Sequence, residues 1–286
     1  MYVTYLLYNP LAGRITPTTI EALTSTLTGE VVALDMTQLK NYEEFFGSLS
    51  ENDKVIICGG DGTLNRFVND TADISIPQEI EYYAAGSGND FMRDILGTAE
   101  ARPVPINAFL HNLPVVSVNG QNYRFLNGVG YGIDGYCCEE GDRLRTSTRK
   151  KVNYAGIAVK GLLFHYKPTS ADITVDGITH HYDKVWLAPT MAGHYYGGGM
   201  MPTPAQDRLN KEHTVSVMVM YGTGKLHTLR IFPSIFKGEH IKHQHSVEVL
   251  TGNEITVQFD CPTPLQIDGE TICHVWEYHV STAPAV

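Results

Sequence analysis

The first third of the chain alternates short apolar runs with segments of helical periodicity. Strands are predicted over 3–8, 30–35, 54–58 and 81–85, and helices over 16–27, 41–49, 63–70 and 89–96. Thr16 is a candidate N-cap, and Pro17 suits the first helical position. Alternating strands and helices predict a parallel sheet with helices on its faces.

From about residue 108 the pattern changes to alternating strands separated by turn residues. Asn119-Gly120 and Asp176-Gly177 each separate two such strands, which is a strong hairpin signal. The segments 247–259 and 264–272 continue this hairpin pattern, and only 152–166 resembles a long helix. A mostly antiparallel β domain is therefore predicted to follow the α/β domain.

The predicted boundary divides the chain into an α/β domain, 1–107, and a β domain, 108–286. This prediction allows the last residues of the chain to pack against the first domain. A cleft between two such domains is a natural place for a ligand.

Composition narrows the class of protein. The chain has 286 residues, 43% of them hydrophobic, which suffices for two modest cores. A formal net charge of −10 argues against broad nucleic-acid binding. The chain has five cysteines, an odd number, and their positions do not have the spacing of metal ligands. This favours reduced thiols in the cytoplasm. The sequence predicts no signal peptide and contains no run of roughly 18 apolar residues, so any contact with a membrane is expected to be transient and at its inner surface.

A glycine-rich loop follows the third predicted strand. Gly59, Gly60 and Gly62 would let backbone N–H groups approach an anion closely. Thr63 is a candidate cap for the next helix, whose N-terminus favours negative charge. Asp61 would repel a phosphate unless Mg²⁺ lies between them or the carboxylate accepts a proton. The alternative is a simple glycine turn with a solvated aspartate.

Two further strands end in comparable loops. The first is followed by "NPLAGR" (9–14) and the fourth by "GSGND" (86–90). Carboxyl ends of parallel strands share one sheet edge, so the three loops are expected to lie together there. The common nucleotide motif G-x-x-x-x-G-K-[ST] is missing from the sequence.

Six motifs occur in a characteristic order: "NPLAG", "GGDGTLN", "GSGNDF" with Arg93, "FLNGVGYGID", "GGGMMPTP" and "IDGE". Together they resemble the diacylglycerol kinase catalytic-domain family of soluble lipid kinases, over nearly the whole chain. Wider relatives include sphingosine kinases and, more remotely, NAD kinases. The resemblance implies an N-terminal α/β domain, a C-terminal antiparallel β-sandwich and a nucleotide cleft between them. It also implies Mg²⁺-dependent transfer of the γ-phosphoryl group of ATP to the hydroxyl of diacylglycerol or a related lipid alcohol.

The resemblance also assigns roles to residues. Glu270 matches the glutamate that accepts the proton, and Asp61 is the second catalytic carboxylate. Asp61 and Asp90 would organise Mg²⁺ and the phosphates. The nucleotide contacts implied are Asn9, Pro10, Gly13, Arg14, Thr37, Gly59, Gly60, Asp61, Gly62, Thr63, Asn65, Ser87, Gly88 and Asn89.

Arg14 and Ser87 stand where the family often has lysine and threonine, and two further departures bear on activity. Asn107 stands where the family usually has an aspartate. The family has a second, structural Mg²⁺ site in a turn after "GGGM…P", which here reads "PAQDRLNKEHT". Glu212 is the closest counterpart of its ligand, and Asp207 competes for that position. These departures keep open a catalytically weak lipid- or nucleotide-binding protein.

The other alternative is a small-molecule kinase of the NAD-kinase kind, against which "GSGNDF" and "IDGE" argue. The sequence leaves open which lipid is the acceptor and whether the chain forms a homodimer.

The stretch 142–151 carries five basic residues in an acidic chain. It is either a solvated lead-in to a helix or a contact for anionic lipid headgroups.

Overall fold

The computed structural model describes residues 2–12, 15–98, 102–147, 157 and 160–282. The chain divides into two compact units, Met1–His111 and Asn112–Val286.

The first unit is built on a five-stranded sheet. Its strands are β1 (Val3–Tyr8), β2 (Glu30–Asp35), β3 (Lys54–Gly59), β4 (Glu79–Ala84) and β5 (Val104–Pro105), in the order β2-β1-β3-β4-β5. The first four are parallel, as predicted, and the short β5 is antiparallel to β4. Every residue of β3 from position 55 onward is buried. Since strand residues alternate between faces, this sheet is covered on both sides.

The helices described beside this sheet are α1 (Pro17–Thr26), α2 (Tyr42–Ser48), α3 (Asp61–Asp70), α4 (Asp90–Leu96) and α5 (Asn107–Leu110). The predicted cap of α1 is confirmed, because the Thr16 hydroxyl accepts the Thr19 N–H at 3.1 Å. The predicted Thr63 cap is wrong. Helix α3 begins at Asp61, and its N-cap is Gly60, which has no side chain to offer.

The second unit is an antiparallel β-sandwich. Its strands are β6 (Val115–Val118), β7 (Gln121–Arg124), β8 (Gly128–Tyr131), β9 (Thr169–Val175), β10 (Ile178–Val185), β11 (Thr190–Met191), β12 (Val215–Met220), β13 (Val247–Gly252), β14 (Glu254–Ile267) and β15 (Glu270–Ser281). Its apolar core draws on strands from β6 to β15, including Val116, Val217 and Tyr278. The predicted pair of fold classes, α/β followed by an antiparallel β-sandwich, is thus confirmed.

Three Asx-Gly hairpin turns are confirmed by their backbone angles. Asn119 and Gly120 have φ of 50° and 76°, and Asp176 and Gly177 have 48° and 83°. Asp268 and Gly269, between β14 and β15, have 46° and 99°. Positive φ at both central residues is the signature of the turn that matches strand twist.

The predicted hairpin over 247–259 is wrong. Strand β13 pairs with β12, whereas β14 pairs with β15, β9 and β8. The link between β13 and β14 is held by Asp176, whose Oδ1 accepts the N–H groups of Asn253 and Glu254 at 3.0 and 2.9 Å. This contact directs the chain onto β9 instead of back along β13.

Two helices stand out in the second unit, α6 (Ile133–Ser147) and α7 (Lys225–Ile231). The expectation that 152–166 alone forms a long helix is wrong, since α6 has 15 residues. Within 152–166, residues Gly161–His165 form a π-helical turn, and most of the remainder lies outside the described residues. Among the helices described, none has the length and apolar character required to cross a bilayer.

Candidate functional site

Three loops meet at the carboxyl edge of the first sheet, as predicted. We call residues 9–12, 60–63 and 86–90 the loop cluster. The Asn9 side-chain amide donates to the Thr63 hydroxyl at 3.0 Å, which joins the first loop to the second. The Asp61 carboxylate accepts the N–H groups of Asp90 and Phe91 at 3.0 and 3.1 Å, which joins the second loop to the third. Protein side chains thus hold the three loops to one another.

The glycines of the cluster permit close backbone contact between two loops. A Cβ on Gly60 would lie 3.1 Å from the Cα of Gly86, and a Cβ on Gly86 would lie 2.7 Å from the Cα of Gly60. Neither residue has a positive φ, so a left-handed turn is not what requires glycine here. The left-handed position is Asn89, with φ of 55°, whose Oδ1 accepts the Gly86 N–H at 2.9 Å.

The predicted nucleotide residues differ in exposure. Pro10 and Ser87 are exposed, and Asn9, Thr37, Gly60, Asp61, Gly62 and Gly88 are half-buried, whereas Gly59, Thr63, Asn65 and Asn89 are buried. Thr37 follows β2 at the same sheet edge, and both its N–H and its hydroxyl donate to Asp35 Oδ1. Gly13 and Arg14 lie outside the described residues.

A cavity of about 340 Å³ lies beside the first loop of the cluster. Tyr8, Pro10, Ile15, Ile20 and Ala33 are among its lining residues. Its mostly apolar wall, with one aromatic ring, suits the flat base of a nucleotide better than its phosphates.

The loop cluster contains two carboxylates, the half-buried Asp61 and the buried Asp90, and this number of carboxylates suits a metal ion that arrives with a nucleotide. Mg²⁺ in phosphoryl-transfer sites is held by one or two carboxylates together with phosphate oxygens. Asp61 and Asp90 begin neighbouring helices, and the side chain of Asp61 contacts the backbone of Asp90. A carboxylate has about four acceptor positions, so two N–H bonds do not exhaust it.

Asn107 lies at the opposite end of β4 from the loop cluster. Its Oδ1 accepts the Ile80 N–H at 2.8 Å, and its Nδ2 donates to the Gln78 carbonyl at 3.0 Å. With a rise of about 3.3 Å per residue, β4 separates it from the loops by roughly 15 Å. Asn107 therefore extends the pairing of β4, which needs both a donor and an acceptor, and an aspartate lacks the donor.

The "IDGE" turn of the second unit is fixed by its aspartate. The Asp268 carboxylate accepts the N–H groups of Leu126, Asn127 and Gly128 at 2.6, 2.9 and 3.0 Å. Motifs about 140 residues apart are thereby joined, which sequence spacing alone does not reveal. Glu270 follows this turn as the first residue of β15, and its side chain is exposed. An exposed carboxylate on a fixed turn is accessible to a ligand hydroxyl.

A buried carboxylate beneath this turn was missed in the sequence. Asp134 lies in the first turn of α6, and burial raises the pKa of its carboxyl to about 6. The Gly135 N–H, which donates to Asp134 Oδ1 at 2.9 Å, opposes this rise in pKa, and the side chains of Tyr196 and Gln266 lie beside the carboxyl. Gln266 in turn accepts the Gly269 N–H at 2.7 Å. Asp134 therefore faces a side chain that supports the "IDGE" turn.

The two residues proposed for a second metal site are both exposed. The side chain of Glu212 is exposed, and its carbonyl accepts the Asn253 amide at 2.8 Å. Asp207 Oδ1 accepts the Leu209 N–H at 2.9 Å. Within the part of the chain that the structure describes, no group of three or more His, Cys, Asp or Glu side chains is arranged to hold a metal ion. The described part of the 206–214 turn thus offers no such cluster, and Glu212 as a metal ligand stays a prediction.

The basic stretch 142–151 is only partly described. Arg143 pairs with Glu140 on α6, with Nη2 and Oε2 2.7 Å apart. Asp142 Oδ2 accepts the Thr271 hydroxyl at 2.8 Å. Residues 148–151 lie outside the described residues, so the membrane contact stays a prediction.

Comparison with known proteins agrees with this geometry. Residues 4–112 match the diacylglycerol kinase catalytic domain, and residues 127–285 match the YegS C-terminal NAD kinase beta sandwich-like domain. A diacylglycerol kinase of Mycobacterium tuberculosis is 26% identical over 241 residues, covering 82% of this chain and 75% of that protein. A diacylglycerol kinase of Bacillus subtilis is 27% identical over 233 residues, covering 78% and 73%. The crystal structure of a diacylglycerol kinase from Bacillus anthracis superposes with a TM-score of 0.56 at 19% identity, covering 98% of this chain and 93% of that one, which shows a shared fold.

Proposed function

Because the chain belongs to the diacylglycerol kinase-like family of lipid kinases, we propose that it transfers the γ-phosphoryl group of ATP to the hydroxyl of diacylglycerol or a related lipid alcohol at a membrane surface. The observation that carries this proposal is the loop cluster. Three loops that follow neighbouring parallel strands are joined by Asn9–Thr63 and Asp61–Asp90 contacts, at the sheet edge where α/β proteins bind ligands.

The nucleotide is assigned to the loop cluster. Loop N–H groups and the start of α3 would face the phosphates, and positioning with charge neutralisation is most of what phosphoryl transfer requires. Asp61 and Asp90 would hold Mg²⁺, which when bound neutralises phosphate charge. Asp61 also fixes the start of α4, so one side chain supports both the loop geometry and the metal.

Glu270 is assigned as the proton acceptor. The lipid oxygen forms a bond to the γ-phosphorus, the bond from that phosphorus to the β,γ-bridging oxygen breaks, and ADP leaves. The hydroxyl proton passes to the Glu270 carboxylate, a step that typically contributes about 10²–10⁴-fold. Asp268 holds the preceding turn through three N–H bonds, so the base projects from a fixed backbone.

Two sequence features favoured a catalytically weak binding protein, Asn107 and the altered 206–214 turn, and the first of them no longer supports it. It depended on Asn107, which lies at the far end of β4 from the loop cluster and serves strand pairing. The residues assigned to the chemistry, Asp61, Asp90 and Glu270, are all retained.

The decisive experiment is incubation with labelled ATP, Mg²⁺ and a panel of lipid alcohols in mixed micelles, followed by identification of the labelled product. NAD is included as an acceptor to test the small-molecule alternative. We expect label in one class of lipid phosphate and its loss in Glu270→Gln. Label in NADP alone would favour the small-molecule kinase, and ATP binding without transfer to any acceptor would favour the binding protein.

A further inference from the structure

The 206–214 turn is closed by hydrogen-bond donors rather than by ligands of a metal ion. A Mg²⁺ site gathers oxygen ligands, chiefly carboxylates and carbonyls, around a cation. Here both acidic residues are exposed. Asp207 caps the Leu209 N–H, and Glu212 is exposed.

Two side-chain amides close the turn instead. The Gln206 amide nitrogen donates to the carbonyls of Asp207 and Thr214 at 3.2 and 2.8 Å. The Asn210 amide nitrogen donates to the same two carbonyls at 2.7 and 2.9 Å. Two backbone oxygens from opposite ends of the turn thus converge on NH₂ groups, each with two donors. These amides satisfy two carbonyl oxygens that could otherwise serve as ligands of a cation.

The acceptor ends of the amides are also engaged. Asn210 Oδ1 accepts the N–H and the hydroxyl of Thr214 at 2.8 and 3.1 Å. Gln206 Oε1 accepts the Ser216 hydroxyl at 2.6 Å, and Gln206 is buried. The network therefore satisfies both ends of each amide, which is the condition under which a buried polar network stabilises a structure.

The guanidinium of Arg208 links the 206–214 turn to segment 126–128, which the Asp268 carboxylate also binds. Arg208 Nη1 donates to the Leu126 carbonyl at 2.9 Å, and Nη2 donates to Asn127 Oδ1 at 3.3 Å. The N–H groups of the same two residues, Leu126 and Asn127, donate to the Asp268 carboxylate. Segment 126–128 is thus held between a guanidinium on one side and a carboxylate on the other.

We propose that in this chain Gln206, Asn210 and Arg208 replace a structural metal ion, so that the turn closes without a divalent cation and Arg208 positions the Asp268 turn through segment 126–128. Arg208 is a positioning residue, because it reaches the turn only through Leu126 and Asn127. The link is made by a side chain of the protein itself, so it does not depend on the supply of metal.

The first test compares metal content and thermal stability of the nucleotide-free full-length protein. After treatment with EDTA and dialysis we expect substoichiometric metal and a Tm unchanged by added Mg²⁺ or Ca²⁺. Asn210→Ala should lower Tm by about 3 °C or more, whereas Asn122→Ala, an exposed asparagine of the same unit, should not. A fall in the Tm of the parent on EDTA treatment that Mg²⁺ reverses would overturn the proposal.

The second test follows hydrogen exchange of the amides of 126–128. Arg208→Met keeps the aliphatic stem but removes the donors, and we expect these amides to exchange about tenfold faster. Arg230→Met, at an exposed arginine of α7, is the matched control and should leave them unchanged. Equal exchange in Arg208→Met and the parent would overturn the positioning role.

A third readout depends on the proposed function. If Glu270 is the base, Arg208→Met should lower kcat for lipid phosphorylation more than it raises KM for ATP. An inactive parent protein would refute the proposed function, while the metal and exchange measurements would still decide the role of the turn.

Discussion

Asp61 and Asp90 lie 29 positions apart in different glycine loops, yet the Asp61 carboxylate accepts the Asp90 N–H at 3.0 Å. It accepts the Phe91 N–H as well, at 3.1 Å. The aspartate of "GGDGT" is therefore a structural link between two loops, whatever it also does for a ligand. Its replacement should affect folding and chemistry separately, and the two effects can be measured apart.

Asp61→Asn should lower the free energy of unfolding by about 1–3 kcal/mol. An asparagine can accept one of the two N–H groups, but its NH₂ end cannot accept the other, which is left without a partner. Urea unfolding measures the loss. Asp70→Asn, at the exposed end of the same helix where Asp70 pairs with Arg66, should cost less than about 1 kcal/mol. Equal stability of Asp61→Asn and the parent would show that the two N–H bonds contribute little.

Alanine at Gly86 should destabilise the protein more than alanine at Gly60. The new Cβ would lie 2.7 Å from the opposing Cα in the first case and 3.1 Å in the second, and both contacts are with backbone that cannot rotate away. Gly47→Ala is the control. Gly47 lies inside α2, and a Cβ there would have no other atom within 4 Å, so alanine should stabilise by about 0.5–1 kcal/mol. The reverse order of the three midpoints in thermal unfolding would contradict the close approach of these loops.

Glu270→Gln should reduce kcat by about 10²–10⁴-fold without loss of stability, since its side chain is exposed. Asp61→Asn should also lose most turnover. If both residues act on one transition state, the double variant should lose less than the product of the single losses. Steady-state kinetics with the identified lipid, together with calorimetric ATP binding, separates turnover from affinity. Fully multiplicative losses would mean that the two carboxylates act in independent steps.

Asp134→Asn should gain stability relative to the parent as pH rises. Burial raises the folded-state pKa of Asp134 to about 6, against about 4 in the unfolded chain, so only well below pH 4 is the carboxyl neutral in both states. Above pH 6 the folded protein holds a buried charge, which costs about 1–3 kcal/mol and which asparagine does not carry. The groups that face Asp134, Tyr166, Tyr196, Tyr278 and Cys137, have pKa values raised by burial and stay neutral throughout.

Urea unfolding of both proteins between pH 4 and pH 8 measures this difference. The other carboxylates cancel in the comparison at each pH, and Asp260→Asn, at an exposed position of β14, serves as control. A stability difference between Asp134→Asn and the parent that stays constant with pH would contradict the buried charge.

The sequence predicted most elements of the first unit because their signals are local. The Thr16 cap, Pro17 and the apolar runs of the strands each lie within the element that they define. The meeting of the three loops followed from a general rule, since parallel strands end at one sheet edge. The role of the glycines at 60 and 86 did not follow, because loop-to-loop distance is a tertiary property.

In the second unit, packing outweighed local signals. Helix α6 begins among glycines that indicate a turn, yet Gly135 is glycine because a Cβ there would lie 1.8 Å from the Pro264 carbonyl. The contacts of Asp268 with 126–128 and of Arg208 with Leu126 join residues some 80 to 140 positions apart. Neither the periodicity nor the spacing of the sequence predicts such contacts, so the roles of Asp268 and Arg208 at the "IDGE" turn could be seen only in the structure.

The pairing of the last hairpin, β14 with β15, determines when the sheet of the second unit can be completed during synthesis of the chain. Strand β15 pairs with β6 through Val280 and Val116, and β14 pairs with β8 through Gln266 and Gly130. The early strands β6 and β8 therefore each lack one of their two neighbours until the end of synthesis, while the first unit, with its more local pairings, is free to fold. A nascent chain released early would carry the loop cluster but lack Glu270. Premature termination would thus leave the loop cluster without the residue that is proposed here as the proton acceptor.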